Sequence, residues 1–309
     1  MILVTGAAGF IGLNYIHLLS KTTGLNDVVI VDKLTYAANE SALRTVPNAK
    51  LEIVDIADAA ALDKVFDRYK IEYVINFAAE SHVDNSIKDC MPFIQSNIIG
   101  TVNLLQLSLK HHVKKFLQIS TDEVFGQAEF GSAFTEKSKI NPRNPYSASK
   151  ASAEHFVWAF HNTYGLPAVI VNCSNNYGPY QYKEKLIPLA ISKIRKGEPV
   201  PVYGNGSQIR DWIYVEDACR AIDLVFRKGR VGERYCIGGD NEIANIDLVQ
   251  KIIDAMGQGT LEFVKDRPGH DYRYYTDCSK LKNELGWEPE WTLEQGIKET
   301  VRWYNENRI

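Results

Sequence analysis

Three residues suited to acid–base chemistry follow directly after an apolar stretch near the middle of the chain. Residues 115–119 read KFLQI, a pattern that predicts a buried strand, and residues 120–126 continue as STDEVFG. In an open α/β sheet, ligands bind in the crevice outside the carboxyl ends of the strands. This strand would therefore carry Thr121, Asp122 and Glu123 into a ligand crevice.

A second segment, residues 146–150, reads YSASK and contains a tyrosine and a lysine four positions apart. If the segment is helical, Tyr146 and Lys150 lie on one face and reach the same point. The pKa of a free tyrosine is about 10, and a nearby ammonium group favours the phenolate. Two acids, a phenol and an ammonium in one crevice predict an enzyme that transfers protons at two or more substrate atoms.

The start of the chain predicts the fold that positions these groups. Residues 2–4 form a short apolar strand, residues 5–12 read TGAAGFIG, and a helix follows. Glycines in such a turn let the backbone approach a pyrophosphate, which the helix N-terminus favours. Strands and helices then alternate to about residue 171, which predicts a Rossmann-like, doubly wound parallel α/β sheet with a smaller, mainly C-terminal α/β lobe.

An acidic residue at the end of the second strand indicates the cofactor. Residues 28–31 read VVIV and lead into Asp32, which falls 20 residues after Gly12. An acid there hydrogen-bonds the ribose hydroxyls and repels a 2′-phosphate, so NAD is predicted rather than NADP. The neighbouring Lys33 is a cation that would instead accept that phosphate. The positive ring of NAD+ would further favour the Tyr146 phenolate, which removes a hydroxyl proton while the carbon beneath gives up hydride.

The paired acids distinguish this site from that of a simple dehydrogenase. Once a sugar carbon is oxidised to a ketone, a carboxylate can remove the neighbouring proton, and a protonated carboxyl can expel a β-hydroxyl as water. Adjacent acids at low dielectric have pKa values that are pushed apart, which provides one base and one acid from Asp122 and Glu123. The alternative is that one of the two caps a turn or faces solvent.

The alternating pattern becomes irregular after residue 179. We predict an NAD-binding domain over residues 1–178 that also takes in part of 205–240, and a lobe over residues 179–309 that mainly binds the substrate. Cations in the later half of the chain are candidates for contact with a second pyrophosphate: Lys185, Arg210, Arg267 and Arg273.

Composition excludes several other classes of protein. A formal charge of -3, from 35 basic and 38 acidic residues, gives no electrostatic case for nucleic acid. No apolar stretch approaches the length of a membrane span, and the first residues lack the pattern of a signal peptide, so we expect a cytoplasmic protein. The five scattered cysteines and seven histidines show no metal-ligand spacing, so no metal is predicted.

Several segments together resemble a known family. The glycine turn and the YSASK segment are similar to the extended short-chain dehydrogenase/reductase superfamily of nucleotide-sugar enzymes. Within it, the chain resembles the dTDP-glucose 4,6-dehydratases over nearly its whole length. The segments that carry this resemblance are residues 32–37 (DKLTYA), 78–84 (AAESHVD), 120–124 (STDEV), 173–181 (CSNNYGPYQ), 210–212 (RDW) and 266–271 (DRPGHD).

The resemblance implies a hydro-lyase reaction with no net redox change. Tyr146 and NAD+ would oxidise C4 of the glucose, with Thr121 and Lys150 assisting. Glu123 would remove the C5 proton and Asp122 would protonate the departing C6 hydroxyl. Hydride would then return to C6, which gives the 4-keto-6-deoxy sugar for deoxysugar biosynthesis, for example of rhamnose.

The resemblance also supplies the contact residues. Those expected at the cofactor are Gly6, Gly9, Phe10, Ile11, Gly12, Asp32, Lys33, Leu34, Thr35, Asp55, Ile56, Phe77, Ala78, Ala79, Ser81, Ser96, Tyr146, Lys150 and Asn176. Those expected at the dTDP-glucose substrate are Ser81, Thr121, Asn175, Lys185, Leu186, Pro201, Val202, Tyr203, Arg210, Asn245, Asp266, Arg267, Pro268, Gly269 and His270. A homodimer built from the helices that begin at Pro92 and Tyr146 is expected by the same analogy.

Three alternatives stay open on the sequence. A nucleotide-sugar 4-epimerase needs Tyr146, Lys150 and NAD but not two acids, so Asp122 and Glu123 argue against it. A 4,6-dehydratase of a UDP-, CDP- or GDP-sugar would keep the acids and change only the base pocket. A non-catalytic NAD-binding regulator would be expected to lose Tyr146 or Lys150, and both are present.

Overall fold

The structure is a computed structural model that describes residues 1–307 of the 309-residue chain. The strands in chain order are β1 (Ile2–Thr5), β2 (Val28–Asp32), β3 (Leu51–Ile53), β4 (Tyr73–Asn76), β5 (Lys115–Thr121), β6 (Ala168–Cys173), β7 (Asn175–Tyr177), β8 (Val200–Tyr203), β9 (Ile209–Tyr214), β10 (Arg234–Ile237), β11 (Glu242–Ala244) and β12 (Leu261–Val264).

The helices lie between and after these strands. They are α1 (Phe10–Thr22), α2 (Glu40–Arg44), α3 (Ala59–Tyr69), α4 (Val83–Lys88), α5 (Met91–Phe93), α6 (Gly100–Lys110), α7 (Pro145–Tyr164), α8 (Leu186–Arg195), α9 (Val215–Lys228), α10 (Asn245–Met256), α11 (Ser279–Leu285) and α12 (Leu293–Asn307). A π-helical stretch, Ile94–Ile99, joins α5 to α6, and a 3-10 helix, Asp122–Phe125, follows β5. In residues 1–307 no helix has both the length and the apolar character that crossing a membrane requires.

Seven parallel strands form the central sheet in the order β10-β6-β5-β4-β1-β2-β3. These strands are apolar runs such as VVIV in β2, as expected when a parallel sheet is covered on both faces. Helices α1, α9 and α11 share a core with one face of the sheet, and α3, α6 and α7 share a core with the other. The strand order reverses between β1 and β4, which is where ligands bind in such sheets. The predicted fold class is confirmed.

A smaller lobe lies beyond the carboxyl ends of these strands. It contains the sheet β11-β9-β7, the strand pair β12-β8 and the helices α8, α10 and α12 around a separate core. The irregular pattern after residue 179 predicts a short strand around Tyr235 in the second lobe, but this strand is β10 and extends the central sheet beside β6. Because that pairing joins residues about sixty positions apart, no local sequence pattern reports it. The domain boundary at residue 178 stays a prediction.

Some element boundaries differ from those predicted. The sequence predicts a third strand over residues 51–56 and a fourth over residues 73–78, but β3 ends at Ile53 and β4 at Asn76. β5 extends to Thr121, whereas the predicted strand ends at residue 119. The sequence also predicts one long helix from residue 92 to about residue 111, but the π-helical stretch interrupts it and brings the buried Ser96 and Asn97 inward.

One buried ion pair links the central sheet to α7 directly behind the end of β5. Glu154 in α7 is fully buried and pairs with the Arg234 guanidinium of β10. The Asn172 side chain of β6 donates to Glu154 Oε1 at 2.7 Å and to the Thr121 carbonyl at 2.9 Å. This network therefore fixes the C-terminal end of β5 relative to α7, the helix that carries Tyr146 and Lys150.

We predict that Arg234→Met is strongly destabilising because it leaves the Glu154 carboxylate buried without its charged partner. The free energy of unfolding is expected to fall by about 3–5 kcal/mol. Chemical denaturation followed by tryptophan fluorescence measures the change. The double variant Glu154→Gln/Arg234→Met should recover much of the loss, since it removes both charges. Equal stability of Arg234→Met and the unmodified protein would contradict this account of the pair.

Candidate active site

Two cavities of about 230 and 400 Å³ meet at the carboxyl edge of the central sheet. The smaller one, here called the sheet cavity, lies over the ends of β1 to β5, and the larger one, the lobe cavity, lies between β5 and the smaller lobe. The residues that line both are Phe10, Ile11, Ser81, Ser120, Tyr146, Gln181, Glu184 and Lys185. Tyr146 therefore stands where the two cavities join.

The glycine turn after β1 forms the floor of the sheet cavity. Gly6 has a φ of +69°, and a Cβ at this position would lie 2.5 Å from the Ala78 backbone. A Cβ at Gly12 would lie 2.6 Å from the Gly6 carbonyl oxygen. Helix α1 starts after Gly9 without a side-chain cap, so the N–H groups of its first turn are free to bind an anion. The turn can therefore hold a pyrophosphate close to the backbone.

The far end of the sheet cavity is acidic. Asp32 accepts hydrogen bonds from the backbone N–H of Ala8 at 2.9 Å and of Leu34 at 2.8 Å. Lys33 donates to Ser96 Oγ at 2.7 Å and lies 3.7 Å from Asp55 and 3.6 Å from Glu80. The one cation at this end is thus matched by carboxylates, which favours ribose hydroxyls over a phosphate.

Tyr146 and Lys150 lie in the first two turns of α7, as their spacing predicted. The backbone N–H of Tyr146 donates to Ser86 Oγ at 3.1 Å, and Lys150 Nζ donates to the Ile119 carbonyl at 2.7 Å. Burial lowers the pKa of Lys150 to about 8. Both side chains line the sheet cavity.

The expected fall in the pKa of Tyr146 is wrong for the protein alone. Burial, and then the negative charge of Glu123, raise the pKa of Tyr146 well above 10, although the Thr121 side chain acts in the opposite direction. Lys150 Nζ donates to the Ile119 carbonyl. A nearby cation favours the phenolate, but the cost of burying a phenolate outweighs that effect here.

Asp122 and Glu123 open the 3-10 helix that follows β5. Thr121 Oγ1 accepts from the Glu123 N–H at 3.3 Å and donates to Asp122 Oδ1 at 3.2 Å, which caps this helix. Asp122 is buried, and its Oδ2 has no hydrogen-bond partner among residues 1–307. Burial raises the pKa of Asp122 well above its usual range, and the charges of Glu123 and Asp211 raise it further. This shift favours the protonated form of Asp122, whereas Glu123 is only half-buried.

Basic side chains line the opposite wall of the lobe cavity. Arg210 donates to the Asp271 carbonyl at 2.8 Å, and its guanidinium lies 4.2 Å from the centre of the Tyr274 ring. Lys185 Nζ donates to the Ser81 carbonyl at 2.8 Å. Arg267 completes this set of cations, which can meet the negative charge of a diphosphate.

Arg273 is not part of this wall. Its guanidinium pairs with Glu242 and donates to the carbonyls of Glu129 and Ser132, and it lines neither cavity. The expectation that it meets a second pyrophosphate is wrong, because its donors hold the loop that follows β5.

The structure brings most of the predicted contact residues to the two cavities. At the sheet cavity lie Gly6, Gly9, Phe10, Ile11, Gly12, Asp32, Lys33, Thr35, Asp55, Ile56, Phe77, Ala78, Ala79, Ser81, Ser96, Tyr146 and Lys150. At the lobe cavity lie Ser81, Thr121, Asp122, Glu123, Asn175, Asn176, Lys185, Leu186, Pro201, Val202, Tyr203, Arg210, Asn245, Arg267 and His270. Asn176, expected at the cofactor, thus lines only the lobe cavity.

Four predicted residues are not among those that line either cavity: Leu34, Asp266, Pro268 and Gly269. Asp266 instead orients its neighbour, because its Oδ1 lies 2.7 Å from His270 Nδ1. Burial, and then the charge of Arg267, lower the pKa of His270 to about 4. His270 is therefore neutral at the lobe cavity near pH 7.

The prediction missed several lining residues, including Glu80, Asp84, Ser174, Tyr182, Glu184 and Trp212. Tyr182 and Glu184 belong to an irregular segment before α8, where no periodicity signals a role. Glu80 follows the predicted end of a strand, and this position is the signal that could have identified it as a lining residue. Within the described part of the chain, no group of three His, Cys, Asp or Glu side chains is placed to hold a metal ion.

Known proteins share this arrangement along the whole chain. The family described as GDP-mannose 4,6 dehydratase matches residues 3–300. A dTDP-glucose 4,6-dehydratase of Haemophilus influenzae is 48% identical over 98% of this chain and 97% of its own length.

Solved structures of nucleotide-sugar enzymes are also similar to this chain. A dTDP-glucose 4,6-dehydratase from Streptomyces venezuelae, crystallised with NAD bound, has a TM-score of 0.94 at 41% identity, over 99% of this chain and 97% of that one. A UDP-glucose 4-epimerase from Thermotoga maritima has a TM-score of 0.93 at 30% identity, over 100% and 99% of the two chains. On sequence identity and coverage together, this chain belongs to the dTDP-glucose 4,6-dehydratase family.

Proposed function

We propose that the protein is a dTDP-glucose 4,6-dehydratase that uses NAD and releases the 4-keto-6-deoxy sugar nucleotide. The observation that carries this proposal is the adjacent pair Asp122 and Glu123 in the lobe cavity, next to Tyr146 at the junction of the cavities. A dehydratase needs an acid and a base beside the oxidising tyrosine, and an epimerase does not. The named relatives support the same activity.

The sheet cavity fits a dinucleotide. The glycine turn leaves no room for a Cβ at Gly6 or Gly12, and the carboxylates of Asp32, Asp55 and Glu80 surround the end where a ribose would lie. Bound NAD+ supplies the acceptor for the C4 hydride and, once reduced, the donor for C6. Because the cofactor is regenerated at each turnover, retaining it costs the enzyme nothing.

The residues at the junction divide the proton transfers between them. Tyr146 takes the proton of the C4 hydroxyl, which the Thr121 side chain holds in place, and Lys150 adds positive charge at the sheet cavity. Bound NAD+ would add positive charge that favours the Tyr146 phenolate against burial. Glu123 then takes the C5 proton, and Asp122 gives its proton to the C6 hydroxyl, which leaves as water. Glu123 would return its proton to C5 when hydride is returned to C6, which completes the 4-keto-6-deoxy sugar and restores the base.

The lobe cavity would bind the nucleotide. Arg210, Arg267 and Lys185 would balance the diphosphate charge, and the apolar Leu186 and Val202 would pack against the base. The neutral His270 would donate or accept a hydrogen bond there without adding charge.

We also propose a cytoplasmic homodimer. Apolar side chains are exposed on α4, α5, the π-helical stretch and α7, namely Ile87, Met91, Ile99 and Phe156, at 39–57% of their full exposure. A second copy packed on these helices would cover them. All five cysteines are free thiols, the form that a reducing compartment maintains.

The first test is mass spectrometry of dTDP-glucose after incubation with the purified protein and no added cofactor. Loss of one water is expected and would show both the activity and the retention of NAD+. If the mass is unchanged even with NAD+ supplied, the assay is repeated with UDP-, CDP- and GDP-glucose. Dehydration of one of these alone would identify a different nucleotide sugar as the substrate. Conversion to the 4-epimer leaves the mass unchanged and is detected by NMR of the sugar, and it would overturn the dehydratase proposal.

We predict that Glu123→Gln separates oxidation from elimination. The amide cannot accept the C5 proton, so dehydration should fall by roughly 10²- to 10⁴-fold, while dTDP-glucose still reduces the bound NAD+. Single-turnover absorbance of reduced nicotinamide and product mass measure the two steps. Tyr146→Phe is the control, since it should lose both. Full dehydration by Glu123→Gln would remove Glu123 from the role of base.

We predict that Asp122→Asn lowers activity and raises stability. Well below pH 4, Asp122 is protonated in both the folded and the unfolded chain, so its burial carries no ionisation cost. As pH rises, the unfolded carboxyl ionises and the folded one resists, which destabilises the folded protein.

Asp122→Asn should therefore have a higher melting temperature than the unmodified protein at pH 7.5. The difference between the two melting temperatures should be smaller at pH 5. Thermal unfolding at both pH values measures this. Asp27→Asn is the matched control, because Asp27 is exposed and its side chain makes no hydrogen bond or ion pair within residues 1–307, so it should show no such trend. A melting temperature of Asp122→Asn that stays below the unmodified value at pH 7.5 would mean that Asp122 is buried ionised.

A further inference from the structure

Asn144 lies immediately before the helix that carries Tyr146, and its side chain makes two contacts at once. Its Oδ1 accepts from the Ser147 N–H at 2.9 Å, which caps the N-terminus of α7. Its Nδ2 donates to Glu123 Oε2 at 3.4 Å. Asn144 is 9% exposed, so both contacts are largely shielded from solvent. One amide group thus joins Glu123 to the start of α7.

The Glu123 carboxylate depends on this contact. No other side chain or backbone group in residues 1–307 donates a hydrogen bond to it. The only other polar contacts of Glu123 are made by its backbone, whose N–H donates to Thr121 Oγ1 and whose carbonyl accepts from Gly126. Asn144 is therefore the one hydrogen-bond donor to this carboxylate within residues 1–307.

The loop between the 3-10 helix and α7 holds Asn144 in place. The Asn141 N–H donates to the Val124 carbonyl at 2.9 Å, so the end of the loop lies beside the 3-10 helix from which the loop starts. At that point Gly126 has a φ of +80°, and a Cβ there would lie 2.4 Å from the Asn141 carbonyl oxygen. Closely packed backbone on both sides leaves Asn144 little freedom to shift away from Glu123.

We propose that Asn144 is a positioning residue that holds Glu123 in register with Tyr146. This inference rests on the proposed function, in which Tyr146 acts on the C4 hydroxyl and Glu123 on the adjacent C5 proton. The C4 hydroxyl and the C5 proton are on neighbouring carbons of one substrate. The Glu123 carboxylate must therefore stay at a fixed distance and direction from the Tyr146 hydroxyl. Asn144 meets this requirement by tying the Glu123 carboxylate to the first turn of the helix that carries Tyr146.

Asn144→Ser is the informative variant, because serine caps helices as well as asparagine does but has no amide to donate. The backbone half of the capping box, in which Asn144 N donates to Ser147 Oγ, is kept. The melting temperature should therefore stay near that of the unmodified protein. Asn144→Ala removes both contacts and should lower it.

The kinetic test uses a single turnover of dTDP-glucose by the enzyme with its bound cofactor. In Asn144→Ser, reduction of the cofactor should proceed within about twofold of the unmodified rate, while dehydration slows roughly 5- to 20-fold. Reduced nicotinamide should accumulate, because oxidation continues while elimination lags. A purely structural role would slow both steps together.

The outcomes separate the two proposals. If the unmodified enzyme does not dehydrate dTDP-glucose, the proposed function fails and this inference fails with it. If the unmodified enzyme is active and Asn144→Ser slows oxidation and elimination equally, or changes neither, only the positioning role is overturned. Selective loss of elimination with unchanged melting temperature supports it.

Discussion

The structure depends on keeping a carboxylic acid, Asp122, buried at the end of β5. A buried carboxyl with an unpaired oxygen destabilises the fold at neutral pH, so it persists only where surrounding elements define its place. β5 is flanked by β4 and β6 in the central sheet, and Thr121 caps the turn that follows it. Behind this point, Glu154 and Arg234 join α7 to β10. The same burial that costs stability favours the protonated form of Asp122, which elimination requires.

Burial affects the other titrating groups at the junction in opposite directions. It raises the pKa of Tyr146 and lowers that of Lys150 to about 8, so both are driven toward their neutral forms. A phenolate at Tyr146 then depends on positive charge in the sheet cavity, from Lys150 and from the bound cofactor. Proton removal is thereby coupled to occupation of the sheet cavity, which protects the chemistry from starting without a hydride acceptor.

Local patterns predicted the parts of the site that local structure creates. The apolar run of β5, the glycine turn and the spacing of Tyr146 and Lys150 each report on one element, and the structure places their side chains at one edge. The pairing of β10 with β6 joins distant segments, and Tyr182 and Glu184 come from an irregular one, so no pattern marks them. Most lobe residues were predicted only through the family resemblance. The sign of the Tyr146 shift was missed because burial is a tertiary property.

Fold alone does not decide between dehydration and epimerisation, since a dehydratase and a 4-epimerase match this chain with TM-scores of 0.94 and 0.93. The difference must lie in side chains at the end of β5. Adjacent positions on a 3-10 turn point in different directions, so Asp122 turns inward toward Asp211 while Glu123 turns toward Asn144. Two chemically similar groups thus acquire different environments, one favouring the protonated form and one presenting a held carboxylate. That asymmetry is what elimination of water needs and what epimerisation would leave unused.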